Sequence, residues 1–307
     1  MSSPTHFAFI IGEALIDAVT TTDGVTKEHP GGSPANVALT LGRLGRSAHL
    51  LTWIGQDERG RTIEQWLQES RVYIEPASAG AQATSLARAS LSASGSATYQ
   101  FDVEWDLPPV QVPAGAVIAH TGSIAAILQP GGAKVRALLE AARDTATITY
   151  DPNMRPTLMG SPNEVRPHVE TYVGLSDVVK VSDEDLEWLY PGVDPRDVAR
   201  RWQAGGPALV VVTFGGEGAF AVTSQDELTV AAPQTTVADT VGAGDSFMGA
   251  LLHGLWEQGL VGSVERQNLH AINSATLETV LLQCTKVAAV TVSRAGANPP
   301  WLAELDE

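Results

Sequence analysis

Short apolar runs closed by Gly, Pro or Asp recur along this chain, and between them lie stretches whose apolar residues repeat at helical spacing. Strands that read as nearly unbroken apolar runs are buried on both faces. Alternating with helices, they fold into a parallel sheet covered on both sides. The expected strands are residues 7–11, 49–54, 116–120, 146–150, 177–181 and 208–213. Ser33-Pro34 reads as an N-cap followed by proline at the first helical position, with Val37, Leu41 and Leu44 on one face. Ile63, Trp66 and Leu67 mark the next helix in the same way.

Two stretches break the rhythm. Residues 83–105 alternate Ala, Ser and Thr with Leu, Tyr and Phe around Ser94-Gly95, the pattern of a β-hairpin, and residues 17–28 with Thr21-Thr22-Asp23-Gly24 have a similar character. Two β excursions from an α/β body predict a small sheet standing off one edge, suited to a lid or a dimer surface. A TIM barrel would not accommodate those hairpins in its even spacing, and no repeat indicates a solenoid or propeller. The 307 residues suffice for one large α/β domain or two smaller ones.

Lys and Arg number 19 against 35 Asp and Glu, a net charge of −16 that repels polyphosphate backbones and anionic membrane surfaces. Neither nucleic acid nor membrane is an expected partner. The only lysines are Lys27, Lys134, Lys180 and Lys286, so a bound anion is expected to rest on backbone amides or metal ions. The single Cys284 excludes an internal disulfide and reads as a buried small hydrophobe. With no basic segment ahead of a long apolar run at Met1–His6, and no unbroken apolar run of about 18 residues, a soluble cytoplasmic protein is expected.

The most informative segment is DTVGAGDSF (239–247), followed by a helical pattern with Phe247, Leu251 and Leu255 on one face. Gly242-Ala243-Gly244 therefore sits where a loop becomes a helix N-terminus, whose free N–H groups and positive dipole end bind anions. Asp245 in that first turn has two readings. It either caps the helix, or stands as a carboxylate beside a phosphate site, able to accept a hydroxyl proton while the amides hold the transferred group. No Walker-type G-x-x-x-x-G-K-[ST] and no early G-x-G-x-x-G occurs, so this late loop is the candidate phosphate cradle. Near the other end, Gly31-Gly32-Ser33-Pro34-Ala35-Asn36 reads as a turn with an N-cap, or as exposed amides and a polar Asn36 placed to bind a polyhydroxylated ligand.

GGSPANVALTLGRLG (31–45) and DTVGAGDSF (239–247), in this order at opposite ends of the chain, resemble the two signature motifs of the ribokinase-like, or PfkB, family of carbohydrate kinases. The resemblance extends over nearly the whole chain. It takes in residues 12–17, Asp151-Pro152-Asn153-Met154-Arg155, residues 212–219 and Ser293-Arg294-Ala295-Gly296-Ala297, which in detail look most like bacterial fructokinases. It implies a Rossmann-like three-layer α/β/α sandwich spanning residues 1–307, with lid strands inserted at about 17–28 and 83–105, that phosphorylates a sugar hydroxyl from ATP with Mg²⁺.

By that resemblance Asp245 is the catalytic base and the amides of Gly242, Ala243 and Gly244 form the anion hole. Asp17, Gly31, Gly32, Asn36 and Arg155 hold the acceptor, while Thr213, Gly215, Gly218, Ala295 and Gly296 line the nucleotide. Backbone oxygens at Asp239 and Val241 are candidates for a monovalent cation such as K⁺, and the lid strands for pairing two subunits. The family's metal-linked Asn-x-x-Glu is represented by Ser182-Asp183-Glu184-Asp185, so Asp185 is a candidate near Mg²⁺ and Ser182 equally a helix N-cap. Lys180 either pairs with an acid or snorkels. His120 reads as a structural residue or a site wall. Trp53 and Trp202 read as packing residues, whereas Phe101 and Trp105 are placed to touch a sugar's apolar face. Fructose is the leading acceptor. Ribose, 2-keto-3-deoxygluconate, a nucleoside, and a catalytically silent sugar-binding role stay open.

Overall fold

The computed structural model describes residues 6–21, 24–91 and 97–305, with backbone alone at 89–91 and 97–99. Thr22 and Asp23 of the expected turn at 21–24, and all of Ser94-Gly95, fall outside the described residues. Nine strands form the main sheet, in which Phe7–Ile11 is flanked on one side by Ala48–Leu51 and Val72–Ile74. On the other side lie Ala116–Gly122, Thr147–Asp151, Val178–Ser182 and Leu209–Thr213 in that order. All these neighbours are parallel. Segments such as Leu209–Thr213 (LVVVT) are buried on both faces, as their unbroken apolar character demands.

The sheet edge carries a hairpin, Ala219–Thr223 with Glu227–Val230, added antiparallel. Neither this hairpin nor Val72–Ile74 is among the strands expected from sequence. One face of the sheet is covered by helices Ser33–Arg43, Ala243–Glu257 and Ser274–Val292, the other by Gly131–Ala142, Pro162–Leu175 and Pro195–Ala204. This is a three-layer α/β/α sandwich. Helix Ser274–Val292 has the length and mean hydropathy of a membrane span, although it is not an unbroken apolar run. Its Leu277, Val280, Leu281, Cys284 and Val287 are packed into the core, against helix Ala243–Glu257.

A second sheet of four strands stands off the body in the order Thr26–Gly31, Leu15–Thr20, Leu86–Leu91, Ala97–Asp102. Its last two strands pair antiparallel, as the alternation in 83–105 predicts.

The chain runs outward from Phe7–Ile11 to one side, then returns to build the other side from Ala116–Gly122. Where the strand order reverses, the loops leaving the carboxyl ends of neighbouring strands diverge and open a crevice. Residues 12–17, 123–126, 151–155, 182–185 and 213–218 all follow strand ends on this rim. One correction concerns Ser33. It is not an N-cap but the first residue of its helix; the cap is Gly32, at φ 112, a conformation open to glycine. A Cβ on Gly32 would lie 2.4 Å from the Glu13 carbonyl oxygen, so the tight turn frees the Ser33 hydroxyl for another partner.

Candidate active site

A cleft of about 1270 Å³ runs along the rim between the body and the second sheet. At its centre the helix Ala243–Glu257 begins with Gly242 at φ 76, which brings the helix N-terminus to the cleft wall; the Ala243 amide donates to the Thr240 carbonyl at 3.3 Å. Asp245 does not cap this helix. Its side chain is 5 % exposed and reaches across to the opposite end of the sequence. Oδ1 accepts from the Ser33 hydroxyl at 2.7 Å and from Asn153 Nδ2 at 3.0 Å, while Oδ2 accepts from Asn36 Nδ2 at 2.7 Å. Three neutral donors thus hold the carboxylate at the cleft wall. Asn36 keeps its own Oδ1 buried with no partner.

Asn153 had no assigned role from sequence. It stands at φ 36, with Nδ2 at 2.7 Å from the Ser33 oxygen and its Oδ1 accepting from Arg155 Nη1 at 2.6 Å. A side-chain-bearing residue in that region costs about 1–3 kcal/mol and persists where its surroundings hold it. Arg155 and Ser33 do so here, aiming the amide at Asp245.

Beneath the amides lies a buried ion pair. Lys180 Nζ is 2.7 Å from Asp151 Oδ2, with side chains 3 % and 0 % exposed, and a Cβ added at Gly244 would meet that ammonium at 3.0 Å. Lys180 therefore pairs with an acid and also places a cation directly under the helix N-terminus. Burial pushes the Asp151 carboxyl up to about 7, with Lys180 pulling it down and Asp245 and Asp185 pushing it further up. His120 shares this buried face. Its Nδ1 lies 3.0 Å from Thr149 Oγ1, Nε2 has no partner, and burial with Lys180 nearby holds it down to about 3, so it is a neutral structural residue outside the cleft.

At one end of the cleft, Asp17, Gly31, Gly32, Asn36, Phe101 and Arg155 come together. A side chain at Gly31 would collide with Asp17 Oδ2 at 2.3 Å, so glycine there makes room for the carboxylate. Burial raises the pKa of Asp17, against the pull of Arg155 and His29. Trp105 corrects the expectation that it faces a sugar. It is 4 % exposed, and its Nε1 donates to the Ala125 carbonyl at 3.0 Å inside the body.

At the other end Thr213, Gly215, Gly218 and Gly296 line the cleft with Val237, Ala288 and Val292. Ala295 stands outside the lining, which Ala297 joins instead. Asp239 accepts from the Val241 amide at 3.0 Å and the Gly296 amide at 2.8 Å, and these bonds lower its pKa. Ser182 takes the capping role: its hydroxyl accepts from the Asp185 amide at 3.0 Å. Asp185 Oδ1 in turn accepts from the Met154 amide at 2.8 Å. Among the described residues no group of three His, Cys, Asp or Glu side chains is placed to hold a metal.

The family model described as pfkB family carbohydrate kinase matches residues 5–304. The chain belongs to the pfkB family of carbohydrate kinases. Among relatives, the kinase is 35 % identical over 271 residues to a fructokinase of Rhizobium leguminosarum bv. trifolii, covering 84 % of this chain and 79 % of that protein. It is 32 % identical over 308 residues to fructokinase-2 of Solanum lycopersicum, covering 94 % and 90 %. A fructokinase double mutant from Vibrio cholerae O395, solved in a fructose, ADP and potassium ion bound form, superposes with a TM-score of 0.78 at 26 % identity, covering 100 % of this chain and 99 % of that one. Fructokinase from Xylella fastidiosa with bound ATP shares the fold, at a TM-score of 0.81 and 24 % identity over 97 % of this chain and 96 % of that one.

Proposed function

We propose that this carbohydrate kinase transfers the γ-phosphoryl group of ATP to fructose, with Asp245 as general base. The observation that carries the reading is the meeting of Asp245, the helix N-terminus at Gly242–Gly244 and the Lys180 ammonium at one point of the cleft. Phosphoryl transfer asks a protein for positioning and charge stabilisation more than for covalent chemistry. Asp245 accepts the proton of the sugar hydroxyl as that oxygen attacks phosphorus. The amides and Lys180 bear on the oxygens of the transferred group, where negative charge collects.

Asn36 Oδ1, Asp17 and the Gly31-Gly32 backbone supply acceptors and donors for the remaining sugar hydroxyls, and Arg155 closes that wall. Thr213, Gly215, Gly218 and Gly296 hold the nucleotide, whose base lies against Val237, Ala288 and Val292. Mg²⁺ takes one or two carboxylates besides nucleotide phosphates, so a cleft without a dedicated cluster fits it. Asp185, with one oxygen committed to Met154, is the candidate carboxylate; Mg²⁺ there offsets phosphate charge against the acidic protein. The backbone oxygens of Asp239 and Val241 are the proposed contacts of a monovalent cation. The four-stranded sheet acts as the lid and as the proposed surface between two copies.

A coupled ADP-release assay with fructose, ribose, 2-keto-3-deoxygluconate and adenosine tests the reading. Fructose is expected to stimulate turnover most, and Asp245→Ala to lower kcat by roughly 10²–10⁴ with the fold unchanged by circular dichroism. Stimulation by another acceptor alone replaces fructose. No stimulation by any of them, or near-wild-type turnover of Asp245→Ala, overturns the mechanism.

A further inference from the structure

Glu13 follows the central strand Phe7–Ile11 and lines the acceptor end of the cleft, yet it is 5 % exposed and has no part in the chemistry described so far. Its Oε2 accepts from the Ala125 amide at 3.2 Å, and the Ser123 hydroxyl bonds the same carboxyl. Both residues belong to the turn Ser123–Ala126, which opens with Ser123 at φ 52. That left-handed backbone is unfavourable for a residue with a side chain, and holds only when neighbours fix it. From the opposite side the Ala125 carbonyl accepts from Trp105, which ends the segment descending from strand Ala97–Asp102 of the second sheet. The Glu13 backbone abuts Gly32, at the start of the helix that carries Ser33 and Asn36.

We propose that Glu13 is a positioning residue for the acceptor, its carboxylate holding the Ser123–Ala126 turn, and through Ala125 and Trp105 the root of the second sheet, in the shape that receives the sugar. This rests on the sugar-kinase reading and deepens it. Arg155, from the 151–155 turn, is the charged group that faces Glu13; the Ser123–Ala126 turn and the Gly32–Pro34 stretch carry no ionisable side chain. Burial pushes the Glu13 carboxyl up to about 7, while its hydrogen bonds and Arg155 pull it down. An ionised carboxylate grips N–H and O–H donors more strongly than a neutral carboxyl does. The hold on the turn therefore weakens as pH falls through about 7, and KM for the sugar rises while KM for ATP stays level.

The test compares wild type, Glu13→Gln and Glu13→Asp by steady-state kinetics from about pH 6 to about pH 8.5, varying fructose and ATP separately. Glu13→Gln is expected to raise the sugar KM about tenfold, the scale of one hydrogen bond to a charged group, with kcat and the ATP KM within about twofold. It is also expected to abolish the rise of sugar KM below about pH 7, and Glu13→Asp to restore part of both. Hydrogen exchange adds a readout independent of turnover: amides 123–126 should exchange faster in Glu13→Gln while the main sheet is unchanged. An unaltered sugar KM, a pH dependence that survives in Glu13→Gln, or equal loss of kcat and both KM values overturns the proposal. If Glu13→Gln does not fold, a wild-type sugar KM flat across this pH range overturns it. Wild-type protein that turns over no sugar overturns the kinase reading itself, whereas an active wild type with an indifferent Glu13→Gln removes this proposal alone.

Discussion

Replacing Lys180 by Met tests the buried pair beneath the helix amides. In the native protein Lys180 Nζ sits 2.7 Å from Asp151 Oδ2, both side chains almost fully enclosed, and even so burial holds Asp151 up at about 7. Met is close in length and carries no charge. Asp151 then faces Asp245 and Asp185 with nothing to offset them, and its pKa rises further. A carboxyl whose folded pKa exceeds its unfolded one adds stability below the unfolded value, and that addition is lost as pH rises through the folded value.

In the native protein the loss ends soon above about 7, whereas in Lys180→Met it continues. The stability gap therefore widens by about 1.4 kcal/mol per pH unit above about 7, toward the roughly 3–5 kcal/mol that stranding a buried charge costs. Urea unfolding of both proteins at about pH 6, 7.5 and 9 measures it. A gap that is constant across these conditions refutes the reasoning. Turnover is expected to fall about 10²-fold as well, because the cation beneath the proposed phosphoryl site is gone.

Asn153→Ala removes one of three donors on Asp245 and the anchor of Arg155, and is expected to lower kcat by roughly 10–100-fold in the ADP-release assay. Gly242→Ala combines a φ of 76 with a Cβ placed 2.7 Å from Ala297 Cβ, and should cost about 1–3 kcal/mol in thermal unfolding while lowering kcat. Arg43 bonds Asn298 Oδ1 at 2.6 Å and the Pro299 carbonyl at 2.7 Å beneath Trp301, pinning the turn after helix Ser274–Val292. Arg43→Ala should cost about 1–3 kcal/mol and raise the ATP KM more than the sugar KM.

The body of the fold was legible where apolar runs met chain punctuation. Residues 177–181 and 208–213 read as strands within one residue of Val178–Ser182 and Leu209–Thr213, because a doubly buried strand is a nearly unbroken apolar run, interrupted here by the paired Lys180. Glycines ahead of Phe247, Leu251 and Leu255 likewise announced a helix N-terminus, since caps and periodicity are local. Locality also marks where the reading failed. Ser33 looked like an N-cap because its neighbour is proline, while its hydroxyl belongs to Asp245, 212 residues away. Trp105 looked like a sugar contact because its hairpin did, and packing turned it into the body instead.

Amino-acid order by itself determined the layered α/β body, the helix start at the Gly-Ala-Gly turn and the carboxylate in its first turn, since each depends on residues within a few positions of one another. Only the tertiary structure decided what that carboxylate touches. Ser33, Asn36 and Asn153 reach Asp245 across 212, 209 and 92 residues, and Lys180 comes to lie under Gly244 from a different strand. Such contacts arise from the reversal of strand order that gathers distant loops on one rim, and no spacing along the chain records which of them will meet.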